Sequence, residues 1–271
     1  MQKVVDLYNS IHLNLGIKRF LNRLIFSQRH INWLDNHFLF PFYLSLEKYF
    51  YTRIVSHYGA DYRWGDEKSQ NLDKKNYNFG YGYIHYSLIR NQRPKRILCL
   101  GSMYGFIPYM MARACKENGY GHVDFVDANY DIHDTKYSNS HYYGQGFWKK
   151  ATTKDHFKYL GVNEYITSYV MTNTDFAKKY NYDYDYIYLD ADHSYKGALQ
   201  NLRLFWSKLV KEGFLCFHDI HFDRTLEGVV FEHGKVWKKL SKMPYKFELS
   251  NHYSGLGFVQ KLTDDNPTNY L

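Results

Sequence analysis

The feature that most limits what this chain can become is an alternation that begins near residue 97. Short apolar runs at 97–100, 122–126, 165–171, 186–189 and 214–217 are interleaved with segments whose apolar residues recur at helical spacing, 107–118 and 199–210 among them. Runs of that length, followed by helix-length segments, read as βαβ units. Successive strands of such units lie parallel and need helices on both faces of the sheet, so the expectation is an α/β domain built on a mostly parallel sheet. Near the end, 246–249 and 257–261 flank a loop containing Ser254 and Gly255. This predicts a terminal antiparallel hairpin that completes seven strands. The chain shows no internal repeat.

Residues 1–78 are of another kind. Segments 17–26 and 40–54 carry apolar residues at helical spacing, Pro41 punctuates them, and 66–78 (DEKSQNLDKKNYN) is polar enough to be a linker. We therefore expect a helical N-terminal extension over 1–78 and the α/β domain over 79–271, entered through a helix at 80–90. Before Asp35, Lys18, Arg19, Arg23 and Arg29 are offset only by Asp6. That basic helix face suits peripheral contact with a membrane or an acidic acceptor, a homo-oligomer contact, or simple solvation.

Composition narrows the class. With 271 residues, 45% of them hydrophobic and 23% charged, the chain can bury a substantial core. It has no apolar stretch near the roughly 20 residues a membrane span needs. Its start lacks the basic, apolar and small-residue sequence of a secretory signal, so we expect a cytoplasmic protein, with the inner membrane surface within reach of its basic helices. Three cysteines are an odd number, and Cys99 and Cys216 sit in apolar strand runs as small buried hydrophobes rather than in disulfides or a zinc cluster. The excess of 35 Lys and Arg over 27 Asp and Glu, a net charge of +8, favours an anionic partner. Nucleic acid, anionic lipid and acidic or phosphorylated glycan all remain open.

The stretch RILCLGSMYGFIPYMMARACKENGYGHVDFVDANY holds a strand, a glycine turn, a helix and a second strand ending in an acid. Gly101 and Gly105 let the backbone turn tightly and approach a ligand, while Asp127, with Ala128 beside it, can accept hydrogen bonds from ribose hydroxyls. The dinucleotide fingerprint G-x-G-x-x-G is absent because Met103 takes its middle position, which disfavours NAD. A bare βα turn is the alternative reading.

A second stretch, YDYIYLDADHSYKGALQNLRLFWSKLVKEGFLCFHDIHF, holds two strands that each end in polar chemistry. Asp190, Asp192 and His193 follow the first, and His218 and Asp219 follow the second. The spacing from Asp190 to Asp219 suits one βαβ unit of about 30 residues, so both acids should emerge at one sheet edge. Adjacent strands lie about 4.8 Å apart and hard divalent cations take carboxylate oxygens at roughly 2.0 to 2.6 Å, so the two side chains can converge on one ion, magnesium first. His193 is the candidate general base beside them. The alternative is that these acids cap helices or pair with cations.

These residues carry a family resemblance. CLGSMYG resembles the first motif of class I S-adenosylmethionine-dependent methyltransferases, in the E-x-G-S-x-x-G form of the family related to macrocin O-methyltransferase, with Cys99 where that family usually has an acid. D-x-D-H-S-Y, followed by an apolar strand ending H-D, is similar to the same family, as is GLGF at 255–258. The resemblance spans roughly 80–261. It implies a Rossmann-like fold and S-adenosylmethionine as cofactor, held by Gly101, Ser102, Gly105, Asp127 and Ala128, with Thr174 and Asp175 near the adenine. It further implies a divalent metal on Asp190 and Asp219 with His218 as a third ligand, a position where metal-binding relatives often carry an acid, and His193 with Asp190 as the catalytic residues.

The leading expectation is O-methylation of a sugar hydroxyl on a surface polysaccharide or glycosylated metabolite, with the aromatic segment 141–148 (HYYGQGFW) as part of an acceptor wall or a core loop. A catechol-like small-molecule acceptor obeys the same metal logic. A non-catalytic, nucleic-acid-binding Rossmann-like protein, suggested by the charge and the 29 Tyr and 19 Phe, is the weaker reading.

Overall fold

The computed structural model describes residues 81–102, 105–128, 147–149, 155–226, 229–249, 254–263 and 267–270. The expected N-terminal helices, their basic face, the linker at 66–78 and most of the aromatic segment 141–148 lie outside the described residues.

Seven strands form one sheet: β1 (Arg96–Leu100), β2 (His122–Val126), β3 (Ile166–Tyr169), β4 (Tyr184–Leu189), β5 (Leu209–His218), β6 (Lys246–Leu249) and β7 (Leu256–Gln260). Their order is β3-β2-β1-β4-β5-β7-β6. The first five run parallel, and β7 pairs antiparallel with both β5 and β6. The mostly parallel Rossmann-like sheet with a terminal antiparallel hairpin is thus the observed architecture. Central strands of such a sheet are covered on both sides, and Ile97 through Leu100 and Tyr186 through Leu189 are all buried.

The helices are α1 (Tyr81–Gln92), α2 (Phe106–Asn118), α3 (Asn173–Lys179), α4 (Tyr195–Phe205) and α5 (His233–Leu240). Glycines in the left-handed conformation bound α2 at both ends, Gly105 (φ 83) before it and Gly119 (φ 61) after it. Pro108 is tolerated because it falls in the first turn, where backbone N–H groups have no intrahelical acceptor. Thr172 caps α3 by accepting from the Asp175 N–H, and Ser194 caps α4 by accepting from the Gly197 N–H. Around α4 a continuous core joins Leu202 and Phe205 to Ile187, Leu189 and Leu215 of the sheet, and to Val236 and Leu240 of α5. A two-stranded ribbon, Arg224–Leu226 with Val229–Phe231, links β5 to α5.

Several boundaries depart from expectation: helix α4 ends at Phe205 rather than 210, because Leu209 and Val210 already belong to β5, and three others have local reasons. Helix α4 starts at Tyr195 rather than 199 because Ser194 supplies the cap. Strand β3 ends at Tyr169 rather than 171 because Thr172 begins the next cap. Strand β5 begins at Leu209 rather than 214, its apolar pattern hidden by Lys211 and by Glu212 at a positive φ of 69, where the register with β4 shifts. Helix α5 and the ribbon have no counterpart in the sequence expectation.

Candidate active site

Strand register assembles the site. Leu100 pairs with Val126 on one side and Leu189 on the other, and Leu189 pairs with Phe217. The next residues are therefore Asp127, Gly101, Asp190 and His218, drawn from four neighbouring strands onto one line at the carboxyl edge of the sheet. That edge is where open α/β sheets bind ligands. The sequence expectation that Asp190 and Asp219 emerge as neighbours is what the structure shows.

At Gly101 the backbone is left-handed (φ 75), and a Cβ there would come within 2.2 Å of the Asp190 carbonyl oxygen. Only glycine lets the β1 turn lie against the end of β4. Gly105 closes the turn by donating its N–H to the Ser102 carbonyl at 2.7 Å. The Asp127 carboxylate accepts from the Ser102 N–H at 3.4 Å, and the buried Ser102 Oγ has no hydrogen-bond partner among the described residues. A glycine-lined turn, a strand-end acid beside Ala128 and an orphaned buried hydroxyl fit a nucleoside-bearing ligand. Trp148 borders this turn, since a Cβ on Gly105 would sit 2.8 Å from its ring, and Trp148 itself stacks on Phe157. Of the aromatic segment, then, Phe147 is core and Trp148 faces the glycine turn.

Thr174 and Asp175 follow β3, the strand next to Asp127, whose N–H donates to the Tyr169 carbonyl. Both also have local structural work. The Asp175 carboxylate accepts from the Thr172 hydroxyl at 2.7 Å, and the Thr174 hydroxyl accepts from Gln200 at 2.9 Å.

One strand away from the glycine turn is a dense group of acids and histidines. The Asp190 carboxylate accepts from the Tyr188 hydroxyl at 3.1 Å and meets His218 Nδ1 at 2.9 Å. His218 Nδ1 is also 3.3 Å from Asp219 Oδ1, so it lies between the two carboxylates. His193 turns Nδ1 toward Asp219 Oδ2 at 2.8 Å and Nε2 toward Asp190 Oδ1 at 3.5 Å. Asp219 itself has a left-handed backbone (φ 59), which aspartate tolerates better than most side chains. Burial disfavours charge on His193, His218 and Asp219, but mutual attraction outweighs it. His218 is held well above the ordinary histidine range by Asp190 and Asp219, His193 is raised by Asp219 and Asp190, and Asp219 is pushed below the usual carboxylate range by the two histidines.

Two atoms in this group stand out. His193 Nδ1 and Asp219 Oδ1 are buried without an aligned hydrogen bond, despite their close charged neighbours. One ligand atom from each of Asp190, His193 and Asp219 lies within 4.8 Å of the others. A donor set of two carboxylates and one imidazole, with unsatisfied buried atoms, suits a divalent cation. The set gathers His193 with the two acids, while the other nitrogen of His218 points to the Ser254 hydroxyl at 3.4 Å.

Several residues around this group lie outside the sequence expectation. His233 of α5 stacks flat on His193, with ring centroids 4.8 Å apart and planes 2° apart. Tyr81 of α1 accepts from the Gly255 N–H at 2.8 Å and sets its ring edge-on to His218. No pattern in the chain announces them, because each reaches the site from an element distant in sequence.

Comparison with known proteins agrees with this geometry. Residues 98–220 match the family model described as a methyltransferase domain, which spans the glycine turn, Asp190, His193, His218 and Asp219. No curated protein matches the chain. Among solved structures, an O-methyltransferase from Bacillus cereus in complex with SAH aligns with a TM-score of 0.53 at 10% identity, over 91% of this chain and 97% of its own. An O-methyltransferase from Streptomyces achromogenes involved in tomaymycin synthesis, in complex with SAM, gives 0.53 at 11% identity over 90% and 94%. An SAH-bound methyltransferase from Podospora anserina gives 0.53 at 14% identity over 89% and 98%. These structures share the fold, and residues 98–220 are similar to a methyltransferase domain. Among the described residues, no helix is long and apolar enough to cross a membrane.

Proposed function

We propose that this methyltransferase moves the methyl group of S-adenosylmethionine to a hydroxyl oxygen, with a sugar hydroxyl of a surface polysaccharide or glycosylated metabolite as acceptor. One observation carries the reading: Asp190, His193 and Asp219 converge one strand from a glycine turn whose backbone touches Asp190. In this reading the sulfonium nucleoside lies across Gly101, Ser102 and Gly105, with its ribose hydroxyls at Asp127 and its adenine toward Thr174 and Asp175. Its methyl group then faces the end of β4.

The acceptor hydroxyl must lose its proton as its oxygen attacks the methyl carbon and the carbon–sulfur bond breaks, which releases S-adenosylhomocysteine. Neutral His193 takes that proton, and the carboxylates flanking it stabilise the imidazolium that forms, so they make the ring a stronger base. Asp190 and Asp219 are the residues that would hold a divalent cation, magnesium by donor type, with His193 or His218 completing the set. Such a cation, when bound, polarises the acceptor hydroxyl and eases its ionisation. If His193 binds the cation through the lone pair that would take the proton, it cannot also act as base.

A second, metal-free arrangement has its own observation. His218 Nδ1 already sits 2.9 Å and 3.3 Å from the two carboxylates, so an imidazolium there offsets one of their two charges in place of an ion. Chelation separates the two. The cation-assisted reading expects transfer to vanish with EDTA and return with Mg2+, whereas the His218 arrangement expects no change.

The function itself is tested by incubating the protein with methyl-labelled S-adenosylmethionine and a panel of glycans, with a catechol as comparison acceptor, and reading methylated products by mass spectrometry. His193→Ala and Asp219→Ala are expected to lower transfer by about 100-fold or more, as removal of an acid–base partner usually does, while calorimetry shows S-adenosylhomocysteine still binding. Normal methylation by both variants would misplace the reaction site. The basic face expected at the N-terminus would bring the enzyme to an acidic glycan or membrane surface, and binding to anionic vesicles with and without residues 1–78 checks that.

A further inference from the structure

We propose that His233 is a positioning residue: it fixes the plane of the His193 ring and ties together the two loops that carry the acids. The proposal rests on His193 being the proton acceptor described above. It stands on contacts the reaction does not otherwise use.

His233 opens α5 and is buried. Its Nδ1 lies 2.8 Å from the carbonyl oxygen of His218, at the end of β5, and its Nε2 lies 3.1 Å from the carbonyl oxygen of Asp192, after β4. One ring therefore spans the two strand ends that supply Asp190, His193 and Asp219. Its neighbours reinforce the tie. The Glu232 N–H donates to the His193 carbonyl at 2.7 Å, the Glu232 carboxylate accepts from the Tyr195 N–H at 2.9 Å, and the Gly234 N–H donates to the Phe222 carbonyl at 3.0 Å.

The face of His233 lies on the face of His193, and Phe231 meets His193 edge-on at 4.9 Å. With these rings packed against it, His193 cannot swing freely about its side-chain torsions: Nδ1 stays on Asp219 at 2.8 Å, and Nε2, 3.5 Å from Asp190, keeps its lone pair for the acceptor's proton. A base held in this way is oriented before the acceptor arrives, the role a third group plays beside a catalytic histidine. Both ring nitrogens of His233 face backbone carbonyls rather than the carboxylates, the neutral ring donating to one of them, so it acts through His193.

The test uses the full-length protein with 15N-labelled histidines and reads imidazole nitrogens by long-range proton–nitrogen NMR, with His193 identified by loss of its signals in His193→Gln. In His233→Phe, which keeps an aromatic ring but no ring nitrogen, the His193 signals should move toward the averaged values of an unconstrained imidazole. In His233→Gln, whose amide can still donate to one carbonyl but which has no ring to stack on His193, they should also move, though less far. Once an acceptor is in hand, His233→Phe should lower kcat by about tenfold or more with KM unchanged. Unchanged His193 signals in His233→Phe would overturn the proposal, and if that variant fails to melt cooperatively, unchanged signals in His233→Gln would do so. The methyltransferase reading fails separately, by absence of S-adenosylhomocysteine binding or by normal transfer in His193→Ala.

Discussion

Gly101 couples the two halves of the site, because its positive φ and the 2.2 Å approach to Asp190 leave no room for any Cβ. Gly101→Ala should cost more than about 2 kcal/mol, since left-handed strain alone is worth about 1 to 2 kcal/mol and the backbone clash adds to it. A denaturant melt reads the loss, and calorimetry should show weakened S-adenosylhomocysteine binding alongside it. Gly101, Asp127, Asp190, His193 and Asp219 were legible because their types and spacing are tied to strand ends. His233 was not, for its partners are backbone carbonyls 15 and 41 residues away, and a carbonyl carries no residue identity. Thr174 and Asp175 show the opposite difficulty, since side chains apt for a ligand also serve as helix-start hydrogen bonders.

At the scale of elements, the Ser194 cap matters most, because α4 leaves directly from the Asp192–His193 loop. Ser194→Ala should destabilise the protein by about 1 kcal/mol, the usual cost of a lost N-cap, which a shift in the urea midpoint at constant slope would record. Gly197 follows the same constraint: a Cβ there would fall within 2.1 Å of the Asp192 side chain, so the first turn of α4 packs on the loop it caps. β1, β2, β4 and the end of β5 could be read from apolar runs, since burial on both faces removes the polar alternation that would blur them, whereas edge strand β3 exposes Thr167 and Ser168. Helix α5 escaped because HGKVWKKL is short and strongly basic, and its apolar side is recognisable only against the hairpin, where a Cβ on Gly257 would meet the Trp237 ring at 2.6 Å.

For the molecule as a whole, buried histidines set an acid limit. Burial holds His85, beside the Tyr186 hydroxyl, and His156 down to about 3, so both stay neutral in the folded state while the unfolded chain protonates them near 6.5. Their stabilisation is complete above 6.5 and is lost as pH falls from there toward 3, by about 2 kcal/mol each between pH 7 and 5. The raised values of His193 and His218 act with the opposite sign, giving stability that is present below 6.5 and fades as pH rises through their folded values. His85→Gln should therefore flatten the loss between pH 7 and 5 by about 2 kcal/mol, read from urea midpoints at each pH. A variant whose pH slope matched wild type would remove His85 from that account. The line of strand ends from Asp127 through Gly101 and Asp190 to His218 has one more consequence. Its members come from four strands joined by crossovers, so no fragment lacking any of those strands can hold the nucleoside turn and the acid pair at their working separation. Ligand capture then becomes a report on the whole sheet having zipped, and a nick in any one of those crossovers should silence it.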